Sequence, residues 1–362
     1  MKMKFIPFIT ISFAVLSFSA CSSDSVDVAG LTDESKSPSG QQILFSVDSD
    51  GRAATRTAVG TVDLTKLRSD GFGVFACHTG LHRYVSSSIS WNFMWNQKVE
   101  YSGSKWSYEP AKSWPGTDDE EEYVTFFAYA PYSKADGSDA ASRCIVDYST
   151  AVETGDPWLV YQLGGTTDDW QNQQVDLLYA FEKDRLRPEH SGDRIKFSFH
   201  HALAGVGDQV TVSCQDLLED RLKQLAADLG TTVTLTLDRV VLDYTLTRKG
   251  RLTLNNASEP NWQVIASEDP MVHRTLELTP AQVLATATSS ACTSTTYENS
   301  DLGIFYIPMS PDGQAQQVDV TLYYSLSTGY SSSISSVIPL TAEIASQNQN
   351  FELRLSKNLP LE

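Results

Sequence analysis

The sequence predicts an all-β protein built from two tandem β-sandwich domains with one short inserted helix. Short segments in which apolar and polar residues alternate recur along the chain, and turn residues separate them, as in β-sandwiches. The chain contains 15 Tyr, 15 Phe and 7 Trp, and aromatic residues are enriched in strands. Its 362 residues suffice for two domains of roughly 100–200 residues, each with its own core.

The first half of the chain contains the clearest strand patterns. In segment 42–47, Ile43, Phe45 and Val47 alternate onto one face. Segment 123–130 is apolar on both faces, as expected of a strand in the centre of a sandwich. The other strands predicted in this half are residues 72–77, 91–99, 105–108 and 175–180.

A charged stretch separates the two halves. Residues 182–194 contain Pro188 and Gly192, and we place the domain boundary there. The N-terminal domain is then residues 42–188 and the C-terminal domain residues 189–362. Strands of the second half are predicted at residues 195–199, 231–237, 239–246, 318–324 and 351–355.

The inserted helix is predicted at residues 216–229, and Gly230 is expected to end it in a left-handed conformation. Four leucines fall on one face of this segment: Leu218, Leu222, Leu225 and Leu229. Charged residues occupy the other faces. The leucine face is therefore expected to pack on the helix's own domain.

The N-terminus predicts a lipoprotein signal peptide over residues 1–20. Lys2 and Lys4 flank the start of an apolar stretch that is too short to span a bilayer comfortably. Small residues then precede Cys21, which resembles the lipobox of bacterial lipoproteins, in which the cysteine is acylated. Residues 21–41 are rich in Ser, Asp, Gly and Thr and predict a flexible tether. An ordinary secretory signal with an incidental cysteine is the alternative.

The net charge of the chain limits the classes of molecule that it is expected to bind. The formal net charge is −18 and the pI is about 4.7. Nucleic acid and anionic lipid are disfavoured as partners, because their phosphates would repel such a chain. No segment after the leader has 18 continuous apolar residues, so the acyl group is expected to be the membrane attachment.

Four cysteines follow Cys21, and they are Cys77, Cys144, Cys214 and Cys292. They lie far apart in the sequence without CxxC spacing, which argues against zinc. A location in the cell envelope permits disulfides, but the sequence leaves the pairing open. Buried free thiols are the favoured state.

Patterns that carry chemistry are weak in this sequence. His200 and His201 are adjacent on a predicted strand and point to opposite faces, so they are poorly placed to chelate one metal. The acidic run 118–122 is interpreted as a solvated loop, and segment 48–51 lacks the Glu that completes a calcium loop. The chain has neither a GxSxG elbow nor a Gly-rich loop leading into a helix. The sequence therefore predicts no enzyme, no catalytic residue, no metal and no cofactor.

Six segments in order resemble the fimbrillin family, the Mfa-like and FimA-like subunits of type V pili. They are the lipobox with the strand that follows its tether, Thr55-Arg56, Ser113-Trp114-Pro115, residues 124–131, residues 175–180 and residues 195–204. Residues 126–131 read FFAYAP, residues 176–180 read DLLYA and residues 197–204 read FSFHHALA. The resemblance covers about residues 21–355.

The resemblance implies a transthyretin-like Greek-key topology in both sandwiches and a palmitate-bearing lipoprotein of the outer membrane and fimbrium that supports cell adhesion. It also implies cleavage by an Arg-specific protease after the first strand. Arg56 matches the family's cleavage position better, and Arg52 is the second choice; two solvated loop arginines are the alternative. Removal of the strand would open a groove for a strand of another pilus subunit.

A monomeric surface lipoprotein that binds glycans is the alternative function. Tryptophan and tyrosine side chains exposed on a rigid sheet stack on sugars, although their commoner use is to fill cores. The tryptophans in question are Trp91, Trp95, Trp106, Trp114, Trp158, Trp170 and Trp262. A cluster of exposed aromatics on one face would favour glycan binding, and a paired first strand above apolar residues would favour the pilus subunit.

Overall fold

The computed structural model describes residues 40–48, 64–86, 90–116, 121–164, 173–255, 260–265, 271–299, 304–309, 316–329, 333–344 and 349–355. Within these ranges the chain is mostly β, with several sheets, as the sequence predicts. The Greek-key connection of the strands stays a prediction. Within the described ranges, no helix has the length and apolar character needed to cross a membrane.

In the described residues, the first half contributes one α-helix and eight strands. The helix is α1 (Leu64–Asp70). The strands are β1 (Phe45–Val47), β2 (Phe72–Gly80), β3 (Met94–Ser102), β4 (Lys105–Ser107), β5 (Tyr123–Ala130), β6 (Ile145–Tyr148), β7 (Trp158–Gln162) and β8 (Leu178–Arg185).

The second half contributes α2 (Asp216–Leu229) and the remaining described strands. These are β9 (Ile195–Phe197), β10 (His200–His201), β11 (Ala204–Cys214), β12 (Val233–Thr247), β13 (Lys249–Thr253), β14 (Asn261–Val264), β15 (Met271–Leu278), β16 (Gln282–Ala287), β17 (Cys292–Ser294), β18 (Tyr297–Asn299), β19 (Ile304–Tyr306), β20 (Gln316–Thr328), β21 (Ser333–Ile344) and β22 (Gln349–Leu355).

A six-stranded antiparallel sheet in the order β10-β8-β5-β2-β3-β4 organises the first half. Its central strand β5 is buried on both faces from Val124 to Ala130, which confirms the interpretation of the apolar segment 123–130. Such a strand is apolar at nearly every position because both of its faces meet other parts of the core. Its buried Thr125 hydroxyl accepts a hydrogen bond from the Asp184 amide at 3.0 Å. The sheet thereby separates two clusters of buried side chains.

A six-stranded sheet and a four-stranded sheet form the sandwich of the second half. One has the order β17-β16-β12-β20-β21, with β15 also paired to β12. The other has the order β18-β11-β19, and β22 runs parallel to β11. Helix α2 packs on β16 and β17 through Leu218, Leu222 and Ala226, which are buried. Gly230 ends the helix with a φ of 61°, as predicted, since glycine adopts the left-handed conformation without steric cost.

Several elements differ from the sequence prediction, and three of these differences have a local physical reason. Helix α1 was not predicted because Leu67 is its one buried residue, and a single apolar position gives no helical period. The two strands predicted at 231–237 and 239–246 form the single strand β12, whose register shifts between Leu237 and Arg239. Strand β8 continues through Arg185, because its charged residues lie at intermediate or exposed positions beside β5.

Strand pairing crosses the predicted domain boundary in both directions. Strands β9 and β10 follow residue 189 but pair with β1 and β8 of the first half. Strands β6 and β7 precede residue 188, and β7 pairs with β13 in the four-stranded sheet β14-β13-β7-β6. The boundary between residues 188 and 189 itself stays a prediction.

A buried hydrogen-bond network fills the space above Gly73. The Tyr129 hydroxyl donates to Oδ1 of Asn96 at 2.7 Å, and Nδ2 of Asn96 donates to the Ser133 carbonyl at 3.1 Å. All three residues are buried. A Cβ atom added to Gly73 would lie 2.3 Å from Cε1 of Tyr129, which is closer than atoms in contact can approach.

We therefore expect Gly73→Ala to lower the free energy of unfolding by about 1–3 kcal/mol, because the extra methyl group overpacks the site. Urea denaturation measures this loss. Gly192→Ala is the matched control, since its added Cβ meets nothing within 4 Å. Equal stability of the two variants would contradict the overpacking.

Candidate functional site: the first-strand groove

The first strand lies between two distant parts of the chain. On one side, β1 pairs in parallel with β9, with Phe45 opposite Ile195 and Val47 opposite Phe197. The Ile195 amide donates to the Leu44 carbonyl at 2.8 Å, and the Asp48 amide donates to the Phe197 carbonyl at 2.9 Å. These bonds continue the ladder beyond both ends of the strand.

The opposite side of the same segment is bonded to residues 112–114. The Ile43 amide donates to the Lys112 carbonyl at 2.9 Å, and the Trp114 amide donates to the Gln41 carbonyl at 2.9 Å. Backbone hydrogen bonds therefore hold residues 41–43 on one side and residues 44–48 on the other. We call the space that these residues occupy the first-strand groove.

Apolar side chains anchor the segment to the floor of the groove. Ile43 and Phe45 are 0% and 2% exposed, and Val47 packs against the same cluster. The sequence predicted this alternation, and it is confirmed. Gln42, on the opposite face, is exposed, as expected of a strand that covers a core.

Phe45 occupies an aromatic pocket. Its ring stacks on Phe197 with a centroid distance of 5.6 Å and an interplanar angle of 22°. Edge or tilted contacts join the same ring to Phe72, Tyr108 and Phe126 at centroid distances of 6.2, 5.3 and 5.8 Å. Aromatic pairs at these separations contribute beyond the area that they bury. The pocket would be open to water if β1 left it.

A buried tyrosine hydroxyl completes the groove wall. The Tyr108 hydroxyl lies 3.0 Å from the Ile43 carbonyl, to which it donates. Burial raises the pKa of Tyr108 to about 12, so the hydroxyl keeps its proton at neutral pH and remains a donor. Sequence reasoning did not identify Tyr108, because a lone tyrosine at the end of a short strand carries no distinguishing pattern.

An ion pair stands at the C-terminal end of the groove. Nζ of Lys196 lies 3.1 Å from Oδ1 of Asp48, and the lysine side chain is 61% exposed. Such an exposed pair contributes little to stability. The sequence suggested Asp48 as part of a weak calcium-loop fragment; in the structure its carboxylate meets this lysine, and residues 49–51 lie outside the described residues.

The predicted processing and lipidation residues are not in the described part of the chain. Cys21, Arg52 and Arg56 all lie outside it, as do residues 1–39 and 49–63. The described chain stops at Asp48 and resumes at Leu64, so both arginines lie between β1 and α1 in sequence. Their roles stay predictions.

The adjacent histidines point apart, as predicted from the strand geometry. His200 is exposed, and its ring lies 5.9 Å from that of Tyr179. His201 is largely buried, and its Nδ1 lies 2.8 Å from Oδ2 of Asp176, whose side chain is 0% exposed. The described residues contain no group of three or more potential metal ligands.

The described tryptophans form no exposed cluster. Trp91, Trp114 and Trp262 are buried in the core, and Trp106 and Trp158 are partly buried. Trp95 is 44% exposed, and its Nε1 donates to the Ser149 carbonyl at 2.9 Å. Trp170 lies outside the described residues. The arrangement that would favour glycan binding is therefore not seen in the described chain.

Comparison with known proteins identifies the family. A sequence model described as fimbrillin-like matches residues 55–336, well over half of the chain. This chain belongs to the fimbrillin-like family. The matched region begins after β1, so the family assignment rests on the sandwich strands and not on the leader or the first strand.

One curated relative of this fimbrillin-like chain and one solved structure of similar fold are fimbrial proteins. It is 26% identical over 160 residues to the fimbrium subunit Fim1C of Phocaeicola vulgatus, which covers 41% of this chain and 38% of that protein. The chain thus spans less than two fifths of the length of this curated relative. A fimbrial protein from Bacteroides vulgatus superposes with a TM-score of 0.63 at 18% identity, over 88% of this chain and 95% of that structure. The second likeness shows a shared fold.

Proposed function

We propose that this chain is a structural subunit of a surface pilus and that it assembles by strand exchange at the first-strand groove. Membership of the fimbrillin-like family and the likeness to a fimbrium subunit support a role in a pilus. The observation that carries the strand exchange is the placement of residues 41–48, in which Ile43 and Phe45 are buried. Residues 41–43 bond to residues 112–114, and residues 44–48 bond to residues 195–197. Catalysis forms no part of the proposal.

The chemistry of the groove suits a replacement strand. Loss of β1 would expose unpaired backbone groups on residues 112–114 and 195–197, and another extended chain can pair with these groups. The incoming strand needs an apolar residue at every second position, with an aromatic or similarly large side chain in the Phe45 pocket. Exchange between identical or related subunits is head to tail and does not close, so it builds a filament.

Cleavage between β1 and α1 would release the first strand. Arg56 and Arg52 lie in this stretch of sequence. After a cut at either one, β1 would be held by non-covalent contacts alone and another strand could displace it. The subunit would reach the cell surface as a lipoprotein of the outer membrane, acylated with palmitate at Cys21, before an Arg-specific protease processes it. Its partners would be other pilus subunits, and the filament would support adhesion.

Limited digestion with an Arg-specific protease tests this proposal. The substrate is the full chain with Cys21→Ser, which cannot be acylated. We expect one early cut, located by N-terminal sequencing at Arg56 or Arg52, followed by ladders that resist SDS. The variant Arg52→Lys/Arg56→Lys keeps both charges and is expected to remain uncut and monomeric.

A competing peptide separates cleavage from strand exchange. A peptide of residues 41–48 should occupy the groove after cleavage and suppress the ladders. The same peptide with Phe45→Asp should leave the ladders unchanged, because a carboxylate in the aromatic pocket is costly to bury. A specific cut that leaves a stable monomer would contradict strand exchange, and resistance at both arginines would contradict processing.

A further inference from the structure

Two half-buried cysteines lie on the two sheets of the second half, close to the segment that connects β17 to β18. Cys214 is the last residue of β11, and Cys292 is the first residue of β17. Both pack against the main core cluster. Cys77 and Cys144 differ from them, because both are fully buried within the hydrophobic core.

The strand register places Cys214 close to the segment that follows Cys292. In the antiparallel ladder between β11 and β18, Val212 lies opposite Tyr297. The observed ladder ends at this pair, and the same register extended by two residues would direct Cys214 towards Thr295. Thr295 is itself tied to the other sheet, since its amide donates to the Leu284 carbonyl of β16 at 2.8 Å. The chain therefore crosses from one sheet to the other beside Cys214.

Both cysteines lie next to the start of helix α2. The helix begins two residues after Cys214, and Glu219 in its first turns accepts a hydrogen bond from the Ser294 hydroxyl. Ser294 and Cys292 are alternate residues of β17 and so share a face. Cys292 thus lies on the face of β17 that meets the start of α2, just after Cys214.

Both thiols are free in the structure. We propose that, under oxidising conditions, Cys214 and Cys292 form a disulfide that joins the two sheets of the second half. Formation of this disulfide in the cell rests on the proposed function, which takes the chain through the oxidising cell envelope. The positions of the two cysteines in the fold do not depend on that proposal. The bond would close residues 214–292 into a loop, and long loops of this kind are stabilised strongly by cross-linking.

The raised pKa values of the two thiols indicate a structural disulfide and not a reactive pair of cysteines. Burial first, then the charges of Cys292 and Glu219, raise the pKa of the Cys214 thiol to about 12. Burial and Glu219 also raise the pKa of Cys292. Thiolates are the attacking species in disulfide exchange, so the folded, reduced pair oxidises slowly and the bond forms most readily during folding.

The oxidation balances with a disulfide oxidant, such as glutathione disulfide or a thiol oxidase of the envelope. The Cys292 thiolate attacks one sulfur of the oxidant, whose S–S bond breaks and releases one thiol. The Cys214 thiolate then attacks the mixed disulfide, forms the Cys214–Cys292 bond and releases the second thiol. Two electrons pass to the oxidant, and the two thiol protons leave with its thiols.

Mass spectrometry of the full chain tests this inference. The chain is made with its own leader in a bacterial envelope, denatured in iodoacetamide and digested with trypsin without reduction. Trypsin places Cys214 in peptide 197–221 and Cys292 in peptide 275–354, apart from the other cysteines. We expect these two peptides to be linked, two hydrogen atoms lighter than their sum, while the peptides of Cys77 and Cys144 carry the label.

Two comparisons make the test decisive. Refolding of the reduced chain with glutathione disulfide should give the same linked peptide, which tests the geometry independently of where the protein resides. Reduction of the wild type should lower the melting temperature by about 5–10 °C, with little change in Cys214→Ser/Cys292→Ser. Labelled, unlinked peptides from both preparations would overturn the proposal. Linkage only after refolding would uphold the disulfide and count against the proposed envelope location.

Discussion

Replacement of Phe45 by alanine is expected to lower the free energy of unfolding by about 3–5 kcal/mol, because it empties a closed aromatic pocket. The ring is 2% exposed and contacts Phe72, Tyr108, Phe126 and Phe197. Both the lost burial and the cavity that remains contribute to this cost. Urea unfolding followed by tryptophan fluorescence measures it.

Two variants control for this effect. Phe45→Leu keeps most of the side-chain volume and should lose clearly less stability than Phe45→Ala. Val152→Ala removes an apolar side chain that is 85% exposed and should change stability by no more than about 0.5 kcal/mol. If Phe45→Ala were as stable as Val152→Ala, the first strand would not be anchored through its pocket, and the proposed groove would lose its main support.

Replacement of His201 by alanine is expected to cost about 3 kcal/mol or more, because it removes a partner from a buried carboxylate. Nδ1 of His201 lies 2.8 Å from Oδ2 of Asp176, and the aspartate side chain is 0% exposed. Loss of the histidine leaves that carboxylate buried without this partner, and the desolvation of a carboxylate is expensive. The stability of the variant in urea measures the cost.

The neighbouring histidine supplies a matched control. His200 is exposed on the opposite face, so His200→Ala should change stability by no more than about 0.5 kcal/mol. The double variant Asp176→Asn/His201→Ala should recover part of the loss, since it removes the buried charge as well. Equal effects of the two single histidine variants would show that the pair with Asp176 does not stabilise the fold.

Local sequence patterns predicted the faces of the elements well. The alternation of Ile43, Phe45 and Val47 identified the buried face of the first strand, and the leucine period identified α2, although Leu229 of the predicted face is 40% exposed. Both follow from the geometry of one element, in which side chains repeat every two or about 3.6 residues. The opposite orientations of His200 and His201 follow from the same rule.

Such local patterns could not predict which distant segments of the chain contact each other. Periodicity states which residues of β1 face the core, but not that β9, about 150 residues later, pairs with it in parallel. The roles of Tyr108 in the groove and of Asp176 beside His201 arise from contacts between distant segments, which no local pattern states. Position 238 looked like a break between two strands because an irregularity in register resembles a turn in the sequence.

The strand pairs that join residues before position 188 to residues after position 189 limit recombination between related genes. Because β7 pairs with β13, and β9 pairs with β1, a cut between residues 188 and 189 leaves each piece with strands whose partners lie on the other piece. Recombination that swapped one half between related genes would have to preserve both matching edges at once. The two halves are therefore expected to be inherited together, and variation should accumulate in the loops between strands.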